Sequence, residues 1–449
     1  MKHEGTHAVR LTRRGGSEAA KFTKRTGTAA LALGAWCLGV SFPLNGTAEP
    51  FGTNLTLQAA LEYGAENNPQ LQAAFNQWKG AEQNIGVQKT LPDPMLTYGY
   101  YFESVETRVG PQNQSFGLSQ KFPAFGKLSA MKAIATDIAH AAEQRYQREK
   151  LSLSESIAQA YAELYFLKRN LAITQDRIQL ITDLEEVART RYKAGAPIAP
   201  IMQAQVELGR LEDRLNSLND MLMPLEAKLN ALLNRPADAA LPISPALPYL
   251  SVNTSATNLL ANIDSTSPEL MELEAKVEQG NNQLKLARRT RLPDISLGVV
   301  YIDTGEAALP VADSGKDPVI GTLGISLPIW FGKNHSLIEA AAYQRTSAQL
   351  MLENRTQTLE ADIQQSLFKL RDADRKINLY KESLIPKARQ SLEVNRQGYE
   401  SGSMEFINLI DAERMLLEFE LAYERALADH LTARANLSKL TGIDFLTGE

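Results

Sequence analysis

The sequence is written twice, and that limits what it can fold into more than any other feature. Asn68-Pro69-Gln70-Leu71 returns as Ser267-Pro268-Glu269-Leu270, and Leu91-Pro92-Asp93 as Leu292-Pro293-Asp294. Phe122-Pro123-Ala124-Phe125-Gly126-Lys127 is answered by Leu327-Pro328-Ile329-Trp330-Phe331-Gly332-Lys333, Tyr192-Lys193-Ala194-Gly195 by Tyr399-Glu400-Ser401-Gly402, and Leu229 to Leu232 by Leu437 to Leu440. The offset between partners grows only from 199 residues (68 to 267) to 208 (229 to 437), so one unit of roughly 200 residues stands in the chain twice, in the same order. The first repeat takes residues 49–247 and the second 258–447. Pro236, Pro242, Pro245 and Pro248 make 235–257 an extended connector between them.

Each copy has the same succession of parts. A helix (Gln70 to Lys89, Glu269 to Thr290) leads into a strand pair (93–122, 293–328), then a very long helix, a tight turn with glycine and a returning helix. The long helix of the first copy runs without proline from about Lys127 to Lys193, about 100 Å at the helical rise. A rod of that length must bury a seam against something. Ile157, Ala160, Leu164, Leu167, Leu171, Ile178, Ile181 and Ala188 recur at steps of three and four, as do Ile363, Leu367, Leu370, Ile377, Leu384, Ala388 and Leu392 in the second copy; both are narrow seams of coiled-coil type. Pro386 has no counterpart in the first copy and predicts a kink.

The segments between helices alternate. Leu96, Tyr98, Tyr100 and Phe102 stand opposite Met95, Thr97, Gly99, Tyr101 and Glu103, and Phe116 and Leu118 opposite Ser115, Gly117, Ser119 and Lys121. Ile295, Leu297, Val299 and Tyr301 oppose Asp294, Ser296 and Gly298, while Val319, Gly321, Leu323, Ile325 and Leu327 oppose Ile320, Thr322, Gly324 and Ser326. One such segment fits a half-buried strand of an ordinary sheet. Four of this length, spliced between long helices in a secreted chain, have the length and pattern of transmembrane β-strands. The polar stretches Ser104 to Asn113 and Thr304 to Pro318 suit extracellular loops. Phe122, Phe125, Trp330 and Phe331 stand at the other end, either as an interfacial aromatic girdle or as packing between sheet and helix. Four strands cannot close a barrel around water, so the chain must oligomerise, and a cyclic arrangement closes without free edges.

The N-terminus sets the compartment. Lys2, Arg10, Arg13, Arg14, Lys21, Lys24 and Arg25 precede an apolar run from Ala29 to Phe42, followed by the small residues Gly46-Thr47-Ala48: a cleaved secretory signal over residues 1–48. Cys37, the only cysteine, lies within that run, with Trp36 where a lipoprotein carries a small residue. The mature chain therefore has no thiol chemistry. Losing the leader removes seven basic and two acidic residues, from 47 against 52 to 40 against 50, and a chain that acidic is a poor nucleic-acid binder. His140, His335 and His430 lie far apart in sequence with no partner pattern for metal or nucleophilic chemistry. No phosphate-binding glycine loop is present. No enzyme and no cofactor is expected.

The duplicated helix, strand pair and helix, the Phe-Gly-Lys junctions at Phe125-Gly126-Lys127 and Phe331-Gly332-Lys333, and Tyr399-Glu400-Ser401-Gly402 followed by Asn408-Leu409-Ile410-Asp411-Ala412-Glu413 resemble the TolC-like outer-membrane efflux proteins over nearly all of the mature chain. The resemblance implies a mainly α protein with a transmembrane β-barrel: a homotrimer whose four strands per protomer form a shared twelve-stranded barrel, above a long α-helical coiled-coil tunnel across the periplasm. It implies the exit duct of a tripartite efflux system, in contact with outer-membrane lipid, a periplasmic adaptor (membrane fusion protein) and an inner-membrane pump. The turns holding Gly195 and Pro200, and Gly402 and Met404, would be the docking tips. Asp411 matches an aperture aspartate of the family, while Asn408 stands where a second acid is common; Met404 and Pro200 occupy the places of a latch that some relatives use. Asp411 reads either as a periplasmic gate, one carboxylate tripled by symmetry, or as a solvated carboxylate near a helix start. Two other readings stay open: a duct for protein secretion, and a secreted coiled-coil scaffold or adaptor with no pore. The Phe-Gly-Lys junctions lean towards relatives paired with heavy-metal pumps.

Overall fold

The computed structural model describes residues 54–247, 249–252 and 254–447. The signal expected over 1–48, with Cys37, lies outside the described residues. Helix α1 (Leu57–Asn67) begins where the Thr56 hydroxyl accepts from the Ala59 amide at 3.3 Å. Helix α2 (Pro69–Gln88) begins where Asn68 Oδ1 accepts from the Gln70 and Leu71 amides at 2.9 and 3.1 Å. Pro69 is tolerated there because the first helical N–H has no partner within a helix anyway. Then follow β1 (Met95–Thr107), β2 (Gly110–Phe122), α3 (Lys127–Lys193) and α4 (Ala199–Leu232). Past the connector come two short helices, α5 (Ala256–Leu260) and α6 (Ile263–Thr266), then α7 (Pro268–Arg289), β3 (Ile295–Thr304), β4 (Val319–Ile325), α8 (Phe331–Leu379), a π-helical turn (Tyr380–Leu384), α9 (Ile385–Ser401) and α10 (Phe406–Thr441).

The strands form one antiparallel sheet in the order β1-β2-β3-β4, so the two copies join at β2 and β3. The register carries the alternation straight across. Tyr98 faces Phe116, Phe116 faces Tyr301 and Tyr301 faces Val319; one step along, Leu96, Leu118, Val299 and Gly321 align. The large side chains of this face are all exposed, Leu96 at 74% and Leu323 at 66%. The other face aligns Met95, Ser119, Gly298 and Thr322, and Val300, Ile302 and Ile320 are apolar on it as well. β1 and β4 have no further strand partner among the described residues.

The loop expected at Ser104–Asn113 is instead strand, and only Arg108 and Val109 turn. Past an irregularity between Tyr100 and Val105 the ladder resumes with Val105–Gln112, Glu106–Pro111 and Thr107–Gly110. The Thr107 hydroxyl donates to the Gly110 carbonyl at 2.6 Å. Gly110 has φ 133°, and a Cβ there would strike the Gly305 carbonyl. The polarity of this stretch marks solvent at the end of a hairpin, where backbone pairing continues regardless of side-chain chemistry. The second connection, residues 305–318, does lie outside the strands. At its other end β4 stops at Ile325, short of the Leu327 that the alternation includes.

α3 is unbroken for 67 residues. In its seam Ile157, Ala160, Leu164, Leu167, Ile181 and Ala188 are buried, whereas Leu171 and Ile178 are only partly so. The second copy's rod takes the irregularity expected at Pro386 as the π turn immediately before it. Proline lacks the N–H that Glu382 O would accept and its ring crowds that carbonyl; a widened turn relieves both. Helices α2, α4, α7 and α10 pack on α3, α8 packs on α7 and α10, and α9 packs on α10. Three apolar cores are strung along this bundle: Leu55, Tyr161, Leu229 and Leu431 in one, Ile181, Ala204, Phe406 and Leu409 in another, Leu270, Ile363, Leu370 and Leu437 in the third. No helix among the described residues is long and apolar enough to cross a membrane.

Candidate functional site: hairpin tips and exposed sheet

Both helical hairpins turn on a left-handed glycine, Gly195 at φ 97° and Gly402 at φ 82°, a conformation that side-chain-bearing residues rarely adopt. Gly195 N–H donates to Tyr192 O at 2.9 Å, and the Ser403 and Met404 amides donate to Gly398 O at 2.9 and 3.1 Å. Met404 packs over Gly398 so closely that a Cβ there would meet its Cγ at 2.8 Å. The two tips lie side by side: Pro200, Met404, Gly402, Arg191, Tyr399 and Phe406 line one shallow cleft of about 340 Å³. Pro200 and Met404 share that cleft without a polar bond across it.

The bonds between the hairpins are made by other residues. The Arg191 guanidinium donates to the Tyr399 carbonyl and sits 4.6 Å above the Tyr399 ring, whose edge meets Phe406 at 5.1 Å. Arg414 on α10 donates to Glu207 on α4 at 2.6 and 3.1 Å. Farther from the tip, Arg177 on α3 lies 3.1 Å from the buried Glu413 and bonds Glu420, to which Arg389 of α9 also donates at 2.9 Å. Neither Glu413 oxygen has a well-aligned hydrogen bond. Burial pushes its carboxyl up to about 7; Arg177 opposes the shift, and Glu420 and Glu207 add to it.

Asp411 is exposed in the second turn of α10, beyond the first turn where a helix dipole acts most strongly. Its Oδ1 accepts from Arg414 at 3.3 Å. Asn408, also exposed, stands three residues before it on the same helix face. Among the histidines, His140 is exposed, His335 lies 3.3 Å from Glu339, and His430 is buried 3.0 Å from Asp374. Burial depresses the His430 imidazole to about 4, against the pull of Asp374. Among the described residues no three metal-ligating side chains come together.

At the sheet's helix end, Phe125, Trp330 and Phe331 are exposed at 92%, 70% and 80%, with Phe122 at 38%. Asp294 ties the two copies here, accepting from the Ala124 amide at 2.8 Å and from Lys127 at 2.7 Å, with Lys121 at 3.2 Å. Sequence reasoning missed Arg191, Tyr399, Glu207, Arg177 and Arg414 as links between hairpins. An arginine one turn before the first tip and a buried acid just inside each returning helix were the available signals, but pairing them requires the fold.

The long helical hairpins occur twice and are joined by one sheet whose large apolar side chains are exposed. A model of the family described as outer membrane efflux protein matches residues 61–235 and again 259–443. The chain belongs to this family of TolC-like channels, and it is an outer-membrane protein. The cobalt-zinc-cadmium resistance protein CzcC of Cupriavidus metallidurans is similar at 24% identity over 401 residues, 86% of this chain and 90% of CzcC. Among solved structures, VceC of Vibrio cholerae superposes with a TM-score of 0.71 at 20% identity, over 87% of this chain and 96% of that one. The open state of the Neisseria gonorrhoeae MtrE outer membrane channel gives 0.71 at 18% identity, over 88% and 90%.

Proposed function

We propose that this chain is one protomer of a trimeric exit duct in a tripartite efflux system. The observation that carries the reading is the four-stranded sheet, with one apolar face exposed and, among the described residues, both outer edges unpaired. Lipid cannot satisfy open strand edges, and β1 of one copy is the natural partner for β4 of the next. Such a head-to-tail interface closes as a ring, and three copies give a twelve-stranded barrel. Helices α2 and α8 are attached to the two edge strands, so the edge that joins copies in the sheet continues into the helices beyond it. In this reading residues 1–48 direct export, and the repeats 49–247 and 258–447 each supply one strand pair and one hairpin. The tips at Gly195–Pro200 and Gly402–Met404 face a periplasmic adaptor and an inner-membrane pump. Three copies of Asp411 form the gate ring, where carboxylates favour cations.

The cargo is small molecules or metal ions, and the likeness to CzcC along most of its length favours metal ions. A strain lacking this chain should lose resistance to cobalt, zinc or cadmium and keep its tolerance of drugs and detergents. Loss of drug tolerance alone would contradict the metal assignment, and an unchanged panel would contradict efflux of either class.

A further inference from the structure

Directly below the bare face of the sheet, where β4 gives way to α8, lies a groove of about 530 Å³ lined by Leu327, Pro328, Ile329 and Phe331, with Arg291, Asn334 and His335 at its polar side. Leu327, Ile329 and Phe331 are exposed, so the groove continues the sheet's apolar band beyond the last ladder pair. Its polar residues are not equivalent. Asn334 turns inward, donating to the Pro328 carbonyl at 3.3 Å, and His335 faces Glu339 at 3.3 Å. Among the described residues Arg291 has no carboxylate within ion-pair distance. The nearest acid in sequence, Asp294, is already held by Lys121 and Lys127. Arg289 is likewise engaged, donating to the Phe125 carbonyl at 2.8 Å. An unmatched guanidinium at the rim of an apolar groove calls for an anion joined to a hydrocarbon body.

We propose that this groove is a binding site for an anionic phospholipid of the outer membrane's inner leaflet, with the phosphate on Arg291 and an acyl chain along Leu327, Ile329 and Phe331. The inference rests on the reading that the sheet spans the membrane. A guanidinium offers a planar fork of donors that matches phosphate oxygens, and basic pockets at the edge of the hydrocarbon zone are where anionic headgroups collect. Trp330, exposed at this end of the sheet, suits the headgroup layer that favours amphipathic rings. The neighbouring copy is the competing occupant, since the groove borders the edge strand β4.

The test uses the detergent-solubilised full-length protein in mixed micelles, followed by thermal melting with added phosphatidylglycerol, phosphatidylcholine or inorganic phosphate. Phosphatidylglycerol should raise the melting temperature at a concentration about tenfold lower than phosphatidylcholine needs, a preference worth about 1.4 kcal/mol. Arg291→Gln should erase that preference, and Arg288→Gln should keep it. Equal response to the two lipids, a preference surviving Arg291→Gln, or the same shift with inorganic phosphate would overturn the proposal. So would a cross-link from an Ile329→Cys variant to a neighbouring copy, which would put protein in the groove. Wild-type pores in phosphatidylcholine bilayers, together with no preference in micelles, would sink the lipid site alone; protein that washes off membranes in carbonate would sink the spanning sheet itself.

Discussion

Glu413 is where single-residue chemistry bears most directly on the tips. An unfolded chain releases this proton near the ordinary carboxyl value, and the folded one keeps it to about 7. Over that interval the unfolded state binds fewer protons, so stability falls as pH rises. The contribution of Glu413 to hairpin packing is complete in acid and lost by the time pH has risen through 7. Glu413→Gln should therefore slow hydrogen exchange of residues 406–417 at pH 8 and leave it unchanged at pH 5; equal exchange at pH 8 contradicts this. Arg191→Ala removes both the bond to the Tyr399 carbonyl and the contact with its ring, and should loosen the tips by about 1–2 kcal/mol. Faster exchange of residues 192–200 and 399–406, with the sheet unaffected, is the expected sign. At this scale the sequence was legible only where a motif stood in one stretch. Gly195 and Gly402 were visible as turn residues because the local conformation they allow marks them. The Arg191–Tyr399 and Glu207–Arg414 links join residues about 200 positions apart, and no local pattern pairs them.

At the scale of elements, the seam of α3 carries packing at a few positions only. Ile181 is fully buried between hairpins, and Ile181→Ala should cost about 2–5 kcal/mol by lost transfer and an unfilled cavity. Phe368 projects 68% exposed from α8, so Phe368→Ala should change the stability of an isolated protomer by less than about 0.5 kcal/mol. Denaturant titration in detergent separates the two, and similar losses would contradict the burial. The helices were legible because three- and four-residue steps persist along them and because Asn68-Pro69 punctuates a start. The strands were legible by alternation, but their ends were not. Ser104 to Asn113 reads as loop by polarity, yet the end of a hairpin can be polar and still paired along its backbone. The π turn before Pro386 shows the same limit: the proline announces an irregularity, while its form depends on the packing of α10 against α8 and α9.

For the whole molecule, the duplication supplies two strand pairs to one sheet and, among the described residues, leaves β1 and β4 as its open edges. Cysteines placed at Leu96 on β1 and Leu323 on β4 should link neighbouring copies into dimers and trimers on a denaturing gel, whereas either single variant should not. Restriction of the products to monomer would contradict closure through these edges. The central claim, that the assembled protein is a gated aqueous duct, is tested most directly by planar-bilayer recording of the detergent-extracted oligomer. The wild type should give discrete, cation-selective channels at neutral pH, and Asp411→Ala should raise their conductance or reduce their selectivity. Membranes that stay silent with purified oligomer would contradict the duct, and identical channels from Asp411→Ala would contradict the gate.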